Sequence, residues 1–125
     1  MVVDEKTDFR EIARDGGTAL SYRAGDFIFR EGDIAGFMYV VLKGSVEMST
    51  RDKVVVTIPE GKPFGMLSLI DKKPRTNSAR AKEDCELALL DERTFRVMVE
   101  EETPGFLWYV INEFAARLRA AHALL

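Results

Sequence analysis

The sequence predicts a mainly β protein, an antiparallel sandwich or barrel with a helical segment at its start and two helices at its end. Short apolar runs follow one another through residues 21–90 like rungs. Turn chemistry at Gly25-Asp26, Gly32-Asp33, Lys43-Gly44, Arg51-Asp52 and Pro59-Glu60-Gly61 separates them, roughly every eight to twelve residues. Helical periodicity is confined to the two ends.

The first 20 residues read as a helical segment, because Phe9, Ile12 and Ala13 recur at helical spacing in a charged stretch unlike an apolar signal sequence. Strands are expected at 21–24, 27–30, 37–42, 45–50 and 53–58, and again at 76–81 and 85–90. The glycines at 25, 32 and 44 serve as turn formers. Between the two groups of strands, residues 64–81 hold a glycine turn, a one-turn apolar segment and an arginine just before a strand. Leu67, Leu69 and Ile70 are expected in the core. Asp91 can cap a helix over 92–101 whose apolar face is Phe95, Met98 and Val99. Thr103-Pro104 repeats the start signal, and Leu107, Val110, Ile111, Phe114, Leu118 and Ala121 make the last helix long and amphipathic. The expected organisation is one domain over 1–125, with a helical 1–20, a β-roll 21–90 and helices 91–125.

Composition narrows the function classes. A chain of 125 residues, 46% apolar and 31% charged, can bury its own core. A net charge of −3, with Lys and Arg scattered singly, lacks the footprint of a duplex-binding protein, so direct nucleic-acid binding is not expected. No run approaches a membrane span, and no membrane partner is expected. The lone cysteine, Cys85, permits no internal disulfide, which agrees with a reducing cytoplasm, and it reads as buried packing. The lone histidine, His122, excludes the multi-imidazole metal site of the cupin enzymes, and Ser68 and Cys85 have no histidine near them in sequence. Neither catalytic residues, nor a metal, nor a cofactor is expected, and the chain is not read as an enzyme.

The stretch from Phe64 to Ala81 reads as a phosphate seat. Gly65 lets backbone approach a ligand closely, the residues after it can expose N–H groups at the start of a short helix, and Arg75 offers a planar fork of donors. With Gly25-Asp26-Phe27-Ile28-Phe29-Arg30-Glu31-Gly32-Asp33 and Met38-Tyr39-Val40-Val41-Leu42-Lys43-Gly44-Ser45-Val46-Glu47 before it, in order, the chain resembles the cyclic nucleotide-binding domain family of catabolite activator and kinase regulatory type. The resemblance implies a jelly-roll (double-stranded β-helix) sandwich and a regulatory module that takes cAMP or cGMP.

Residue by residue, the resemblance makes Arg75 the phosphate arginine, with Arg80 and Lys72 left solvated. It puts Thr76 where some cGMP-selective members contact guanine and phosphate, and Asn77 where alanine is common; the base stays undecided between cAMP and cGMP. Gly65 through its backbone and Ser68 through its hydroxyl fall within reach of the ligand. Met66 departs from the pattern, because tight binders carry glutamate there to accept a bond from the ribose 2′-hydroxyl. A thioether is a weak acceptor, and losing a charge-assisted bond of about 1.5 to 3 kcal/mol weakens binding roughly tenfold to a hundredfold. Weak nucleotide binding is the expectation; a ligand-free domain kept for dimerisation or protein contacts is the alternative. The resemblance also implies a lid on the last helix, for which Phe114, Arg117 and Leu118 are the candidates, signalling by movement of that helix, and pairing of the helix with its twin in a homodimer. Several family members continue into a DNA-reading helix-turn-helix, whereas this sequence stops at Leu124-Leu125. The effector is therefore left unnamed.

Overall fold

The computed structural model describes residues 10–123, apart from 52 and 103. In chain order the elements are α1 (Arg10–Gly16), β1 (Thr18–Tyr22), β2 (Phe27–Phe29), β3 (Phe37–Lys43), β4 (Val46–Thr50), β5 (Lys53–Ile58), β6 (Pro63–Phe64), α2 (Leu67–Asp71), β7 (Ser78–Ala81), β8 (Cys85–Asp91), α3 (Glu92–Val97), a π-helical turn (Met98–Glu102) and α4 (Pro104–Ala123). Two four-stranded sheets form, in the orders β1-β8-β3-β6 and β2-β7-β4-β5. The antiparallel pairs β1 with β8, β2 with β7, β3 with β6 and β4 with β5 nest around the β4–β5 hairpin. That nesting is the jelly roll, so the expected fold class is the one observed.

β3 explains how the layers stack. Its run Met38-Tyr39-Val40-Val41-Leu42 is buried without interruption, which an antiparallel strand permits only when both of its faces are covered. Tyr39 and Val41 point into the sandwich with Phe29, Val46, Met48, Ile58, Phe64 and Leu87. Met38, Val40 and Leu42 point the other way, into a second cluster with Met66, Leu69, Leu90, Phe95, Met98 and Val110. The helices close that outer face of the sheet. Gly44 makes the turn after β3 at φ +88°, where a Cβ would lie 2.6 Å from the Asp84 carbonyl oxygen.

Several boundaries differ from the sequence expectation. β1 begins at Thr18 rather than at 21, because Gly17 lets helix α1 turn straight into the strand: its N–H donates to the Ala13 carbonyl at 2.8 Å, and a Cβ there would meet the Leu89 carbonyl oxygen at 2.9 Å. β7 begins at Ser78 rather than at 76, since the preceding backbone is bound elsewhere, Arg75 N–H donating to the Asp33 carbonyl at 2.9 Å. The two-residue β6 was too short for any periodic signal. The helix expected over 92–101 is α-helical only to Val97 and then widens into the π-helical turn. Leu67 and Ile70, expected in the core, are 45% and 49% exposed, because a five-residue helix covers one face and α2 uses it for Ser68 and Leu69. Phe9 and Thr103 lie outside the described residues, as do Leu124 and Leu125.

Candidate functional site

The candidate site forms where the loop between α2 and β7 folds back against β3. Gly65 leads into α2 at φ +79°, a conformation that a side chain would strain. A Cβ at that position would lie 3.0 Å from Nη1 of Arg75 and 3.3 Å from the Tyr39 ring. Glycine is required here for conformation and for closeness alike. The loop is pinned from behind by Gly32 N–H donating to the Arg75 carbonyl, and by Arg75 N–H donating to the Asp33 carbonyl, both at 2.9 Å.

Arg75 is buried, at 5% exposure. Its Nη1 donates to the Gly65 carbonyl at 2.6 Å and its Nη2 to the Phe37 carbonyl at 2.5 Å. The guanidinium stacks 4.0 Å from the centroid of the Phe29 ring, with Tyr39 at 5.9 Å, so the aromatic end of the sandwich core holds its plane. Phe64 stacks on Tyr39 at 5.1 Å and braces that wall. Nε is buried and has no hydrogen-bond partner. Burial pushes the Arg75 pKa down, opposed by Tyr39 and Asp33, and burial likewise pushes the Tyr39 hydroxyl up. Two carbonyl oxygens satisfy two of the five N–H groups of a guanidinium, the Tyr39 hydroxyl and the Asp33 carboxylate offset part of its charge, and no carboxylate among the described ion pairs contacts it directly. The arrangement can receive an anion.

A cavity of about 440 Å³ opens beside this cation, lined by Met48, Gly65, Met66, Leu67, Ser68, Arg75, Thr76, Asn77, Phe114 and Leu118. It brings together all six residues singled out around the phosphate seat and two of the three lid candidates. Thr76 is exposed at the mouth and Asn77 is half-buried. Ser68 is 5% exposed, and its hydroxyl donates to the Pro74 carbonyl at 3.4 Å. Met66 is 1% exposed and belongs to the cluster under the helices, so its thioether packs away from solvent while closing the cavity wall. Phe114 is half-buried against the same cluster, and Leu118 is 57% exposed. Arg117 lies on α4, but its side chain is outside the described residues.

Two lining residues escaped the sequence reading. The sequence points to the core for Leu67 and to a strand for Met48, and to the cavity for neither. Met48 sits opposite the small Ala79 of β7, and an apolar residue facing alanine across a sheet is a weak but real sign of space beside it. Arg80 and Lys72, expected to be solvated, are exposed: Arg80 Nε donates to the Gly25 carbonyl at 3.1 Å, and Lys72 pairs with Glu92 at 2.9 Å. Cys85 is buried, and burial first, then Asp84, Glu83 and Asp26, pushes its thiol up to about 11. Among the described residues no helix is long and apolar enough to cross a membrane.

Comparison with known proteins bears on the family and the fold. The family model for the cyclic nucleotide-binding domain matches residues 19–102. The cAMP-dependent protein kinase regulatory subunit of Schizosaccharomyces pombe is 36% identical over 87 residues, covering 69% of this chain and 21% of that protein. Rap guanine nucleotide exchange factor 1 of Caenorhabditis elegans is 37% identical over 70 residues, 56% of this chain and 7% of that protein. The chain thus spans about a fifth of the length of the first of these curated relatives and less than a tenth of the second. Among solved structures, the Thermus thermophilus catabolite activator protein superposes with a TM-score of 0.79 at 27% identity, covering 90% of this chain and 55% of that one. The cAMP-bound PfPKA-R superposes with a TM-score of 0.72 at 25% identity, covering 86% and 38%.

Proposed function

The chain belongs to the cyclic nucleotide-binding domain family, and from that membership we propose that it is a non-enzymatic sensor whose cavity binds a cyclic nucleotide weakly and reports it through α4. The observation that carries this reading is Arg75: a buried cation with an unpartnered Nε, on the wall of a cavity that no described carboxylate lines. Holding a charge out of water with no carboxylate in direct contact is costly, and an anionic guest is the partner that offsets the cost. A relative and a neighbour named for cAMP favour cAMP, Thr76 at the mouth does not decide the base, and the reading covers both cAMP and cGMP.

Phe114 and Leu118 line the cavity from α4, so a ligand that touches them biases where that helix lies, by as much as its affinity differs between the two positions. Leu107, Trp108, Ile111 and Leu118 are 42%, 57%, 49% and 57% exposed along the same helix, an apolar stripe that suits pairing with a second copy. A cytoplasmic location goes with this reading.

Met66 supports a second reading, in which the cavity is empty and the domain serves dimerisation or protein contacts. Its thioether is tucked into the cluster under the helices rather than presented to a sugar. Calorimetry with cAMP and cGMP on the wild type, Arg75→Ala and Met66→Glu separates the two. The sensor gives weak heat, lost in the first variant and strengthened in the second. No heat from the wild type at millimolar nucleotide establishes the second reading instead.

A further inference from the structure

Resting on the nucleotide reading above, we propose that Thr76 is a phosphorylation site for a protein kinase with an acidic substrate cleft, and that its phosphate bars an anionic ligand from the cavity. Three of the four residues before Thr76 are basic, Lys72, Lys73 and Arg75, in a chain of net charge −3. No other serine or threonine has more than one Lys or Arg in the four places before it. A run of cations ahead of a hydroxyl is a charge pattern by which kinases choose substrates. The structure leaves this hydroxyl free. Residues 72–75 form neither helix nor strand, 71–74 are exposed, and Thr76 is exposed after the buried Arg75. The Thr76 side chain makes no hydrogen bond to the described residues. Lys73 is exposed and enters no ion pair among the described residues, and Lys72, though paired with Glu92 at 2.9 Å, keeps 67% of its side chain exposed. The neighbouring hydroxyls are engaged: Ser68 is 5% exposed and donates to the Pro74 carbonyl at 3.4 Å, and Ser78 lies in β7 and accepts from the Glu31 N–H at 3.0 Å.

Thr76 also shares the cavity wall with Arg75, the one cation among the described residues of that wall, none of which is acidic. In the transfer, Thr76 Oγ bonds to the γ-phosphorus of ATP, the bond from that phosphorus to the β,γ-bridging oxygen breaks, ADP leaves, and the hydroxyl proton passes to the kinase's base. The product carries a charge of about −1.5 to −2 at neutral pH. A tethered phosphate and a free cyclic phosphate cannot both be neutralised by one guanidinium, and their charges repel across a partly enclosed space. Modification therefore switches the seat off by charge.

The test treats the intact chain with Mg-ATP and the catalytic subunit of cAMP-dependent protein kinase, maps the phosphate by mass spectrometry, and follows with calorimetry against cAMP and cGMP. One phosphate on Thr76 is expected, with nucleotide affinity weaker by about tenfold or more after treatment. Thr76→Val should take up no phosphate, and its affinity should not respond to the kinase. Thr76→Glu, which carries a fixed negative charge, should bind more weakly than the untreated wild type. Thermal melting checks that both variants are folded, and a synthetic peptide of residues 70–80 is the control for recognition. Labelling of the peptide but not of the folded chain, labelling of neither, or labelling at Ser78 in place of Thr76 overturns the site. Phosphate on Thr76 with unchanged affinity overturns the switch and leaves the nucleotide reading intact. If the untreated chain binds neither nucleotide at millimolar concentration, that reading fails and the switch with it, while the mass still decides the site.

Discussion

The two faces of β3 support two apolar clusters of similar composition that are closed in different ways. On the inner face, Tyr39 and Val41 are enclosed by a second sheet whose strands are hydrogen-bonded to one another through β2, β7, β4 and β5. On the outer face, Met38, Val40 and Leu42 are enclosed by α1, α3, the π-helical turn and α4, and side-chain packing is the main link between those helices and the sheet. Breaking the inner closure means opening a ladder of backbone bonds. Breaking the outer one means sliding helices off a surface. Arg75 is fixed to the inner cluster by the rings of Phe29 and Tyr39, whereas Met66 and, from α4, Val110 and Phe114 pack in the outer one, and the cavity lies where the two meet. One end of the cavity is thus built on the sandwich core and the other on the helices.

The sharpest way to break this contrast is to truncate each side in turn. Phe64 is fully buried and stacks on Tyr39 at 5.1 Å with Phe29 at 6.2 Å, so Phe64→Ala should cost about 3 to 5 kcal/mol and unfold the chain at lower denaturant as a single transition. The Arg75 stack should be lost with it. Met98→Ala, at 4% exposure in the outer cluster, should cost less, about 2 kcal/mol. Its damage should be local: hydrogen exchange should speed up in α3 and α4 while protection in β3, β4, β7 and β8 stays unchanged. Equal loss of protection in strands and helices would show that the two clusters are one cooperative unit.

The same contrast separates what the sequence disclosed from what it concealed. Short apolar strands between turns are legible, because apolar runs and turn chemistry are local, and so β2, β3, β4, β5 and β8 appear close to where the sequence puts them. The cavity residues 65, 66, 68, 75, 76 and 77 fall together because they are neighbours in the chain, and the fold has only to return one loop. What could not be read depends on distant partners. The early start of β1 follows from the fit of Gly17 against Leu89, the contribution of Met48 follows from its facing Ala79, and the exposure of Leu67 follows from α2 having a single covered face. None of these leaves a periodic trace. The Arg75 contacts with the Phe37 carbonyl and the Phe29 ring span 38 and 46 residues, beyond any local pattern.

Cys85 probes the inner cluster through pH. Burial holds its thiol up to about 11, above its ordinary value of 9.0, so the folded state keeps a proton that the unfolded chain releases sooner. Stability is unaffected by this group below pH 9 and falls as the pH climbs from 9 through 11. Cys85→Ala should flatten that part of the profile, and in the wild type a thiol-directed reagent at pH 8 should react at the rate of opening rather than at the rate of a free cysteine.

Asp91 gives the smallest effect and tests the outer cover from its hinge. It ends β8 opposite Phe37, whose carbonyl anchors Arg75, and its carboxylate accepts from the Thr94 N–H at 2.8 Å to cap α3. That bond, with the Thr94 side chain next, holds the Asp91 carboxyl below its ordinary value, with Arg93 assisting and the small loss of solvation opposing. A depressed carboxyl stabilises the fold above its unfolded pKa, and the contribution disappears as the pH falls through the folded value. Asp91→Ala should therefore lower Tm at pH 7 by a small margin that vanishes in acid. Asp91→Asn, which keeps a good cap but cannot titrate, should stay near wild type at pH 7 and lack its part of the acid decline. If the cap sits at the joint between seat and cover, exchange in Asp91→Ala should rise first in α3, not in β3, and a rise that begins in β3 would place the joint elsewhere.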